Sequence, residues 1–297
     1  MSQNSFLSHS DRIVIVGPGL LGSSIGLGLK RAGYLGDIVG IGRDEGALAR
    51  AVELGAIDRG ATDLQSQLRG SCLIILATPL LTFGALLQSI ASKMTAEMIV
   101  TDVGSAKVQV CQLARKILPF PQRFVGSHPM AGGIGQGPDA AREGLFAGRP
   151  CVMTPCAGID PKAKAIVAAL WEGLGMVVQE MDAEEHDKKV ACISHLPHVI
   201  ATALVSCADE QGAMSMASTG FRDTTRVASG NPLIWRDIFQ TNRKAIMESI
   251  DVYTAKMKIF RQMLEDQEMP RILEELELLK EQRDQWVQGQ FDGLKEQ

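Results

Sequence analysis

Residues 12–33 read RIVIVGPGLLGSSIGLGLKRAG. After Arg12 come four β-branched apolar residues with no polar alternation, the pattern of a strand buried on both faces. Gly17, Gly19 and Gly22 then fall as G-x-G-x-x-G, and helical sequence runs over 20–31. Strand, glycine turn and helix together give that spacing a mechanism. Gly17 permits the tight turn, Gly19 lets a pyrophosphate approach the backbone, and Gly22 lets the helix pack on the strand. The free N–H groups at the helix start, around Leu20 and Leu21, and the positive end of the helix dipole would face the anion. The bland alternative is a glycine-rich turn that holds nothing.

Working outward, short apolar runs at 12–16, 37–41, 72–76, 97–101, 123–127, 150–154 and 176–181 read as strands. Helical stretches lie among them at 20–31, 46–54, 82–92, 105–117 and 161–173. This alternation predicts an α/β fold, a Rossmann-type doubly wound and mostly parallel sheet. After about residue 182 the strand-like runs stop. Val190, Ile193, Leu196, Ile200 and Leu204 follow helical spacing, and Pro197 is expected to bend or interrupt that helix. A loop rich in Gly, Ser and Thr is expected around 212–231. Helical sequence continues from 232, with a break near Pro270. Ile272, Leu276 and Leu279 share one helix face, either core packing or a dimer seam. The expected organisation is a dinucleotide-binding domain at 1–181 and an all-helical substrate and dimerisation domain at 182–297.

The chain has 297 residues, 45% hydrophobic and 22% charged, with a formal net charge of -4. A broad nucleic-acid footprint would need a basic excess, so no nucleic-acid partner is expected. Six scattered cysteines include no C-x-x-C pair, which argues for buried free thiols in a reducing compartment and against a metal cluster. MSQNSFLSHS at the start has no apolar core with a basic flank, and no run of 18 apolar residues follows. A cytoplasmic protein with no membrane partner is the expectation.

Cofactor choice is read twenty residues beyond Gly22, where a carboxylate would hold the ribose of NAD. That position is Gly42, followed by Arg43. Loss of the carboxylate and gain of a guanidinium favour a 2′-phosphate, hence NADP ahead of NAD. Asp44 competes with this reading, since a shift of two residues would give it the ribose role. Three further loops follow strand-like runs: LATPL at 76–80, with Thr78 and Pro79; TDVGSAK at 101–107, with Ser105; and GSHPMAGG at 126–133. The last reads as a tight loop. Ligands in open α/β sheets bind beyond the carboxyl ends of the strands, so all three should line one crevice. That places His128 at the nicotinamide end. A histidine satisfied within its own loop is the alternative.

GPGLLGSS, TDVGSAK, GSHPMAG, SHLPH, GFRDTTR and NPLIWRDIF occur in this order. As a set they resemble the prephenate/arogenate dehydrogenase family of tyrosine biosynthesis, over roughly residues 11–290. The resemblance implies a nucleotide-binding domain, a helical domain that forms a homodimer, and oxidative decarboxylation of a small cyclohexadienol acid. By resemblance, His128 is the base or hydrogen-bond acceptor toward the ring hydroxyl, and Ser105 helps hold that hydroxyl and the histidine. Arg226 clamps the substrate carboxylate, a task suited to a planar guanidinium. His198 touches substrate, His195 is substrate-side or structural, and Asp223 orients neighbours. Trp235 packs at the substrate site or in the core, the core being favoured, and His186 is assigned to an exposed helix surface with no chemistry. His9 falls in a frayed terminus. One departure stands out: after HPMAG this chain has Gly133 and Ile134, then Gln136, in place of a hydroxyl and an acidic residue. Prephenate and arogenate both remain open as substrates. A β-hydroxy acid dehydrogenase and a dinucleotide-sensing protein without turnover are the competing readings.

Overall fold

The computed structural model describes residues 11–133 and 135–289 with their side chains, and the backbone on to Lys295. His9 and Ile134 lie outside the described residues. Among the described residues eight strands form one sheet: β1 Arg12–Val16, β2 Asp37–Ile41, β3 Arg59–Ala61, β4 Ser71–Leu76, β5 Ile99–Asp102, β6 Phe124–Pro129, β7 Pro150–Thr154 and β8 Val177–Glu180. Their spatial order is β3-β2-β1-β4-β5-β6-β7-β8. Neighbours pair parallel except β6 with β7, where His128 stands opposite Val152. Order reverses between β1 and β4, which is where such sheets leave a crevice.

The helices of this region are α1 Leu20–Arg31, α2 Glu45–Glu53, α3 Leu64–Leu68, α4 Phe83–Ala91, α5 Val108–Ile117 and α6 Pro161–Gly173. Ile13, Val14 and Ile15 are fully buried, as are Leu73 to Leu76, because helices cover both sheet faces. The doubly wound expectation holds. The short β3 and α3 are not among the expected elements, because RGA and LQSQL offer too few apolar residues to set a period. His128, expected in a loop, lies instead in a strand, since Gly126–Pro129 are ladder residues of β6. Pairing with β7 overrides the weak strand propensity of Gly, Ser and Pro.

Beyond the sheet come α7 Ala183–Val190, a π-helical turn Ala191–His195, and α8 Leu196–Glu210. Asp182 caps α7 by accepting from the backbone of Glu184 at 2.7 Å. Pro197 does not end the helix: it lies just after the π-helical turn, in the first turn of α8. Ala183–Glu210 is the one helical run among the described residues long and apolar enough to cross a bilayer. Its His186, Asp187, His195 and His198 are nevertheless buried within the protein. The expected loop at 212–231 contains α9 Thr219–Thr225 and a 3₁₀ turn Arg226–Ser229, followed by α10 Pro232–Thr241 and α11 Arg243–Glu265.

Backbone packing divides the chain into two compact units, Met1–Ile246 and Met247–Gln297. In the second, α12 Met269–Lys295 begins after a break at Gln267, whose φ is 55°. Ile272 is buried, whereas Leu276 and Leu279 are half exposed. All six cysteines are free, but only Cys111 and Cys151 are buried. Cys192 and Cys207 are exposed, contrary to the expectation of uniformly buried thiols.

Candidate active site

The glycine turn forms the floor of the crevice. Gly17 has φ 91°, and a Cβ there would lie 2.7 Å from Thr78 Cγ2, so the turns after β1 and β4 touch. A Cβ at Gly22 would collide with the Gly17 carbonyl, which is the close approach of α1 to the turn. At Gly19 a Cβ would meet nothing within 4 Å among the described residues. The two constrained glycines shape the turn, and the open one leaves space at the start of a twelve-residue helix. Ser23 locks the turn by donating its hydroxyl to the Pro18 carbonyl at 2.8 Å. This cradle fits a pyrophosphate, with the first-turn N–H groups around Leu20 and Leu21 aimed at it. Arg43 is exposed just beyond β2. Asp44 caps α2, accepting from the Ala47 backbone at 3.1 Å. Thr78 and Thr82 share a 2.7 Å hydroxyl bond, and Pro79 accepts from Thr82 at 2.7 Å, so this turn is braced by its own side chains.

The loop after β5 is braced more heavily. Lys107 and Asp102 are both fully buried and form an ion pair. Lys107 Nζ also donates to the Ser127 carbonyl at 2.8 Å, and Asp102 accepts from the backbones of Gly104 at 2.8 Å and Ser127 at 3.1 Å. A buried pair with its spare valences satisfied in this way fixes geometry more than it adds stability. Here it ties the Ser105 loop to the strand that carries His128. Ser105 itself is half-buried.

His128 keeps only 8% of its surface exposed. Its Nδ1 lies 2.9 Å from Nε2 of His186, and the two rings meet edge to face. His186 Nδ1 in turn lies 2.8 Å from Oδ1 of Asp187. Asp187 accepts from the backbone N–H of Lys107 at 2.7 Å and of Val108 at 3.0 Å, at the start of α5. His186 is fully buried, which corrects its assignment to an exposed surface. In EEHDKK the flanking charges face solvent while one histidine–aspartate pair turns inward. Helical spacing from His186 to Val190 is the signal that could have shown it. Burial pushes the His128 pKa well below the ordinary histidine value, helped by His186, Lys107 and His195 nearby. The imidazole is therefore neutral at pH 7.

Asn242 donates to the Asp187 carbonyl at 2.8 Å and lies 3.2 Å from His195 Nδ1. With Asn242 donating, His195 carries its proton on Nε2, and that buried N–H has no hydrogen-bond partner among the described residues. Burial lowers the His195 pKa to about 4. His198 donates from Nδ1 to the Val227 carbonyl at 2.9 Å and stacks on Trp235, centroids 3.6 Å apart. Trp235 is half-buried against two histidines, which corrects the preference for the core. Arg226 is exposed, one residue from the carbonyl that holds His198. Asp223 is exposed and paired with Arg222 at 3.1 Å. The structure thus gathers Lys107, His128, His186 and His195 into one buried cluster, while the side chains of Arg226 and Asp223 face solvent. Gln136 is exposed as well. A cavity of about 260 Å³ lined by Cys111, Arg115, Phe124 and Cys156 contains none of these groups.

Residues 25–180 match the family model for the prephenate dehydrogenase nucleotide-binding domain, and residues 182–278 match that for the prephenate dehydrogenase dimerization domain. The chain belongs to the prephenate dehydrogenase family. The glycine turn precedes the matched segment and rests on its own geometry. Among relatives of the family, the prephenate dehydrogenase of Bacillus subtilis is 34% identical over 92% of this chain and 76% of its own length. The cyclohexadienyl dehydrogenase of Zymomonas mobilis is 34% identical over 88% of this chain and 91% of its own. Among solved structures, Aquifex aeolicus prephenate dehydrogenase in complex with hydroxyphenyl propionate and NAD+ superposes with a TM-score of 0.86 at 30% identity, covering 93% of this chain and 98% of that one. Synechocystis arogenate dehydrogenase gives a TM-score of 0.80 at 32% identity, covering 93% and 99%. The protein is an NAD(P)-dependent dehydrogenase of this family.

Proposed function

We propose the following division of labour for the family's reaction, oxidative decarboxylation of prephenate or arogenate in tyrosine formation. Gly17, Gly19 and Gly22, with the N–H groups around Leu20 and Leu21 and the turn at Thr78 and Pro79, hold the dinucleotide. The bound nicotinamide supplies the hydride acceptor. His128 takes the proton of the ring hydroxyl, and Ser105 orients that hydroxyl. His198, stacked on Trp235, and the unpartnered N–H of His195 face the acid. Arg226 binds its carboxylate, and Asp223 orients neighbouring groups. Residues 1–181 serve the dinucleotide, and 182–297 serve substrate and a homodimer of cytoplasmic protein. Arg43, free beyond β2 while Asp44 is engaged as a helix cap, supports NADP ahead of NAD.

One observation carries this reading: a buried imidazole kept neutral at the carboxyl end of a strand beside the dinucleotide crevice. A general base must be unprotonated at working pH, and this environment keeps it so. The test is a four-way assay of prephenate or arogenate with NADP or NAD, read by nicotinamide absorbance. At least one pair should turn over, and silence with all four sinks the proposal. Arg226→Ala should raise KM with little change in kcat, and an unchanged KM removes the clamp. The same assay separates the competing readings: turnover of a β-hydroxy acid alone, or dinucleotide binding without turnover.

A further inference from the structure

We propose that His186 and Asp187 are positioning residues that set the tautomer of His128, so that its base nitrogen is Nε2. This rests on the reading of His128 as the proton acceptor and adds which atom accepts and why. The argument starts at Asp187. Three N–H groups converge on its two oxygens: the backbones of Lys107 and Val108, and Nδ1 of His186 at 2.8 Å. A carboxylate meeting only donors is a pure acceptor, so His186 carries a proton on Nδ1. When the His186 ring holds that one proton, its Nε2 is bare. That nitrogen lies 2.9 Å from Nδ1 of His128, and one of the two must donate. Only His128 can, so its proton sits on Nδ1 and its Nε2 keeps a free lone pair. Among the described residues His128 makes no other ring hydrogen bond.

Backbone structure fixes the direction of the whole chain. Asp187 is held by the first N–H groups of α5, where the helix dipole favours a negative charge. Those same residues close the loop bearing Ser105. Lys107 places its ammonium on Asp102 and the Ser127 carbonyl, on the far side of the same loop. The groups facing His128 are therefore His186, Lys107 and His195. All three are nitrogen groups, and none of them is a carboxylate that competes with Asp187. When His128 Nε2 takes the hydroxyl proton, the substrate O–H bond breaks and an N–H bond forms. The Nδ1–H then points its growing positive charge through His186 toward the carboxylate.

The tautomer can be read without substrate or cofactor. In ¹⁵N-histidine-labelled full-length protein at pH 7, His128 is assigned by its absence in His128→Asn. Its Nδ1 should carry the proton and its Nε2 should resonate as a bare nitrogen. A proton on Nε2 overturns the proposal. Kinetics give a second reading. His186→Leu leaves Nδ1 unpaired and should lower kcat about 10–100-fold with KM nearly constant, the usual scale for groups that orient a working side chain. His186→Gln, whose amide oxygen can accept from Nδ1, should recover much of that loss. Equal activity of His186→Leu and wild type counts against the proposal, as does a loss that appears only in KM. If His186→Leu does not fold, the wild-type spectrum decides. A correct tautomer with no turnover in the four-way assay would leave this relay standing and remove the reaction assigned to it.

Discussion

The phosphate cradle and the histidine cluster share one compact unit but are built on different plans. The cradle is a single stretch, residues 17–23, and its working parts are backbone N–H groups and empty space. The cluster draws side chains from 102–107, 128, 186–187, 195 and 242. A backbone-made site is insensitive to most side-chain changes outside its glycines. A site assembled from five separate segments depends on every brace that holds them.

The contrast can be pressed hardest at His128. His128→Asn should cut kcat by about 10²–10⁴-fold while dinucleotide affinity, measured by fluorescence titration, stays within about twofold. A parallel loss of dinucleotide binding would mean that the two sites are not separate. Next comes the brace. Lys107→Met leaves a carboxylate buried without its cation and should lower unfolding free energy by about 3–5 kcal/mol, read by denaturant titration. A change below about 1 kcal/mol would show that Asp102 finds another partner.

Acid should act on the cluster before the cradle. His195 has its pKa lowered to about 4, so between pH 6.5 and pH 4 the unfolded chain binds a proton that the native protein refuses. Stability is full above pH 6.5 and falls as pH drops through that window, by about 3 kcal/mol from this group. His128 is shifted in the same direction and adds to the slope. A flat denaturation midpoint from pH 7 to pH 5 would refute neutral burial. The smallest expected effect is at the cradle's edge. Arg43→Ala should weaken NADP about 10-fold relative to NAD, the scale of one exposed phosphate contact. Equal losses for both would reverse the cofactor preference.

These two plans also explain what was legible in the sequence. The cradle is local, so RIVIVGPGLLG announces strand, turn and helix without help from the rest of the chain. The sheet was legible for the same reason, since unbroken apolar runs mark buried parallel strands. The short β3 and α3 were not, because they form by pairing and packing with neighbours. His128 was found through motif order, yet its placement in β6 depends on β7, a segment more than twenty residues away. His186 was lost because EEHDKK reads as solvated charge. Only the folded helix separates the inward pair from the outward ones.

The π turn at Ala191–His195 sets the phase of the helix that serves the site. His186 and His198 are twelve residues apart, which a regular helix would place about 120° out of line around its axis. Absorbing one extra residue in the wider turn reduces that offset to about 20°. Deleting a single residue there would leave length, charge and hydropathy almost untouched, yet would swing His198 away from Trp235. The insertion therefore acts as a frame marker, and the count of residues between the two histidines matters as much as their identity.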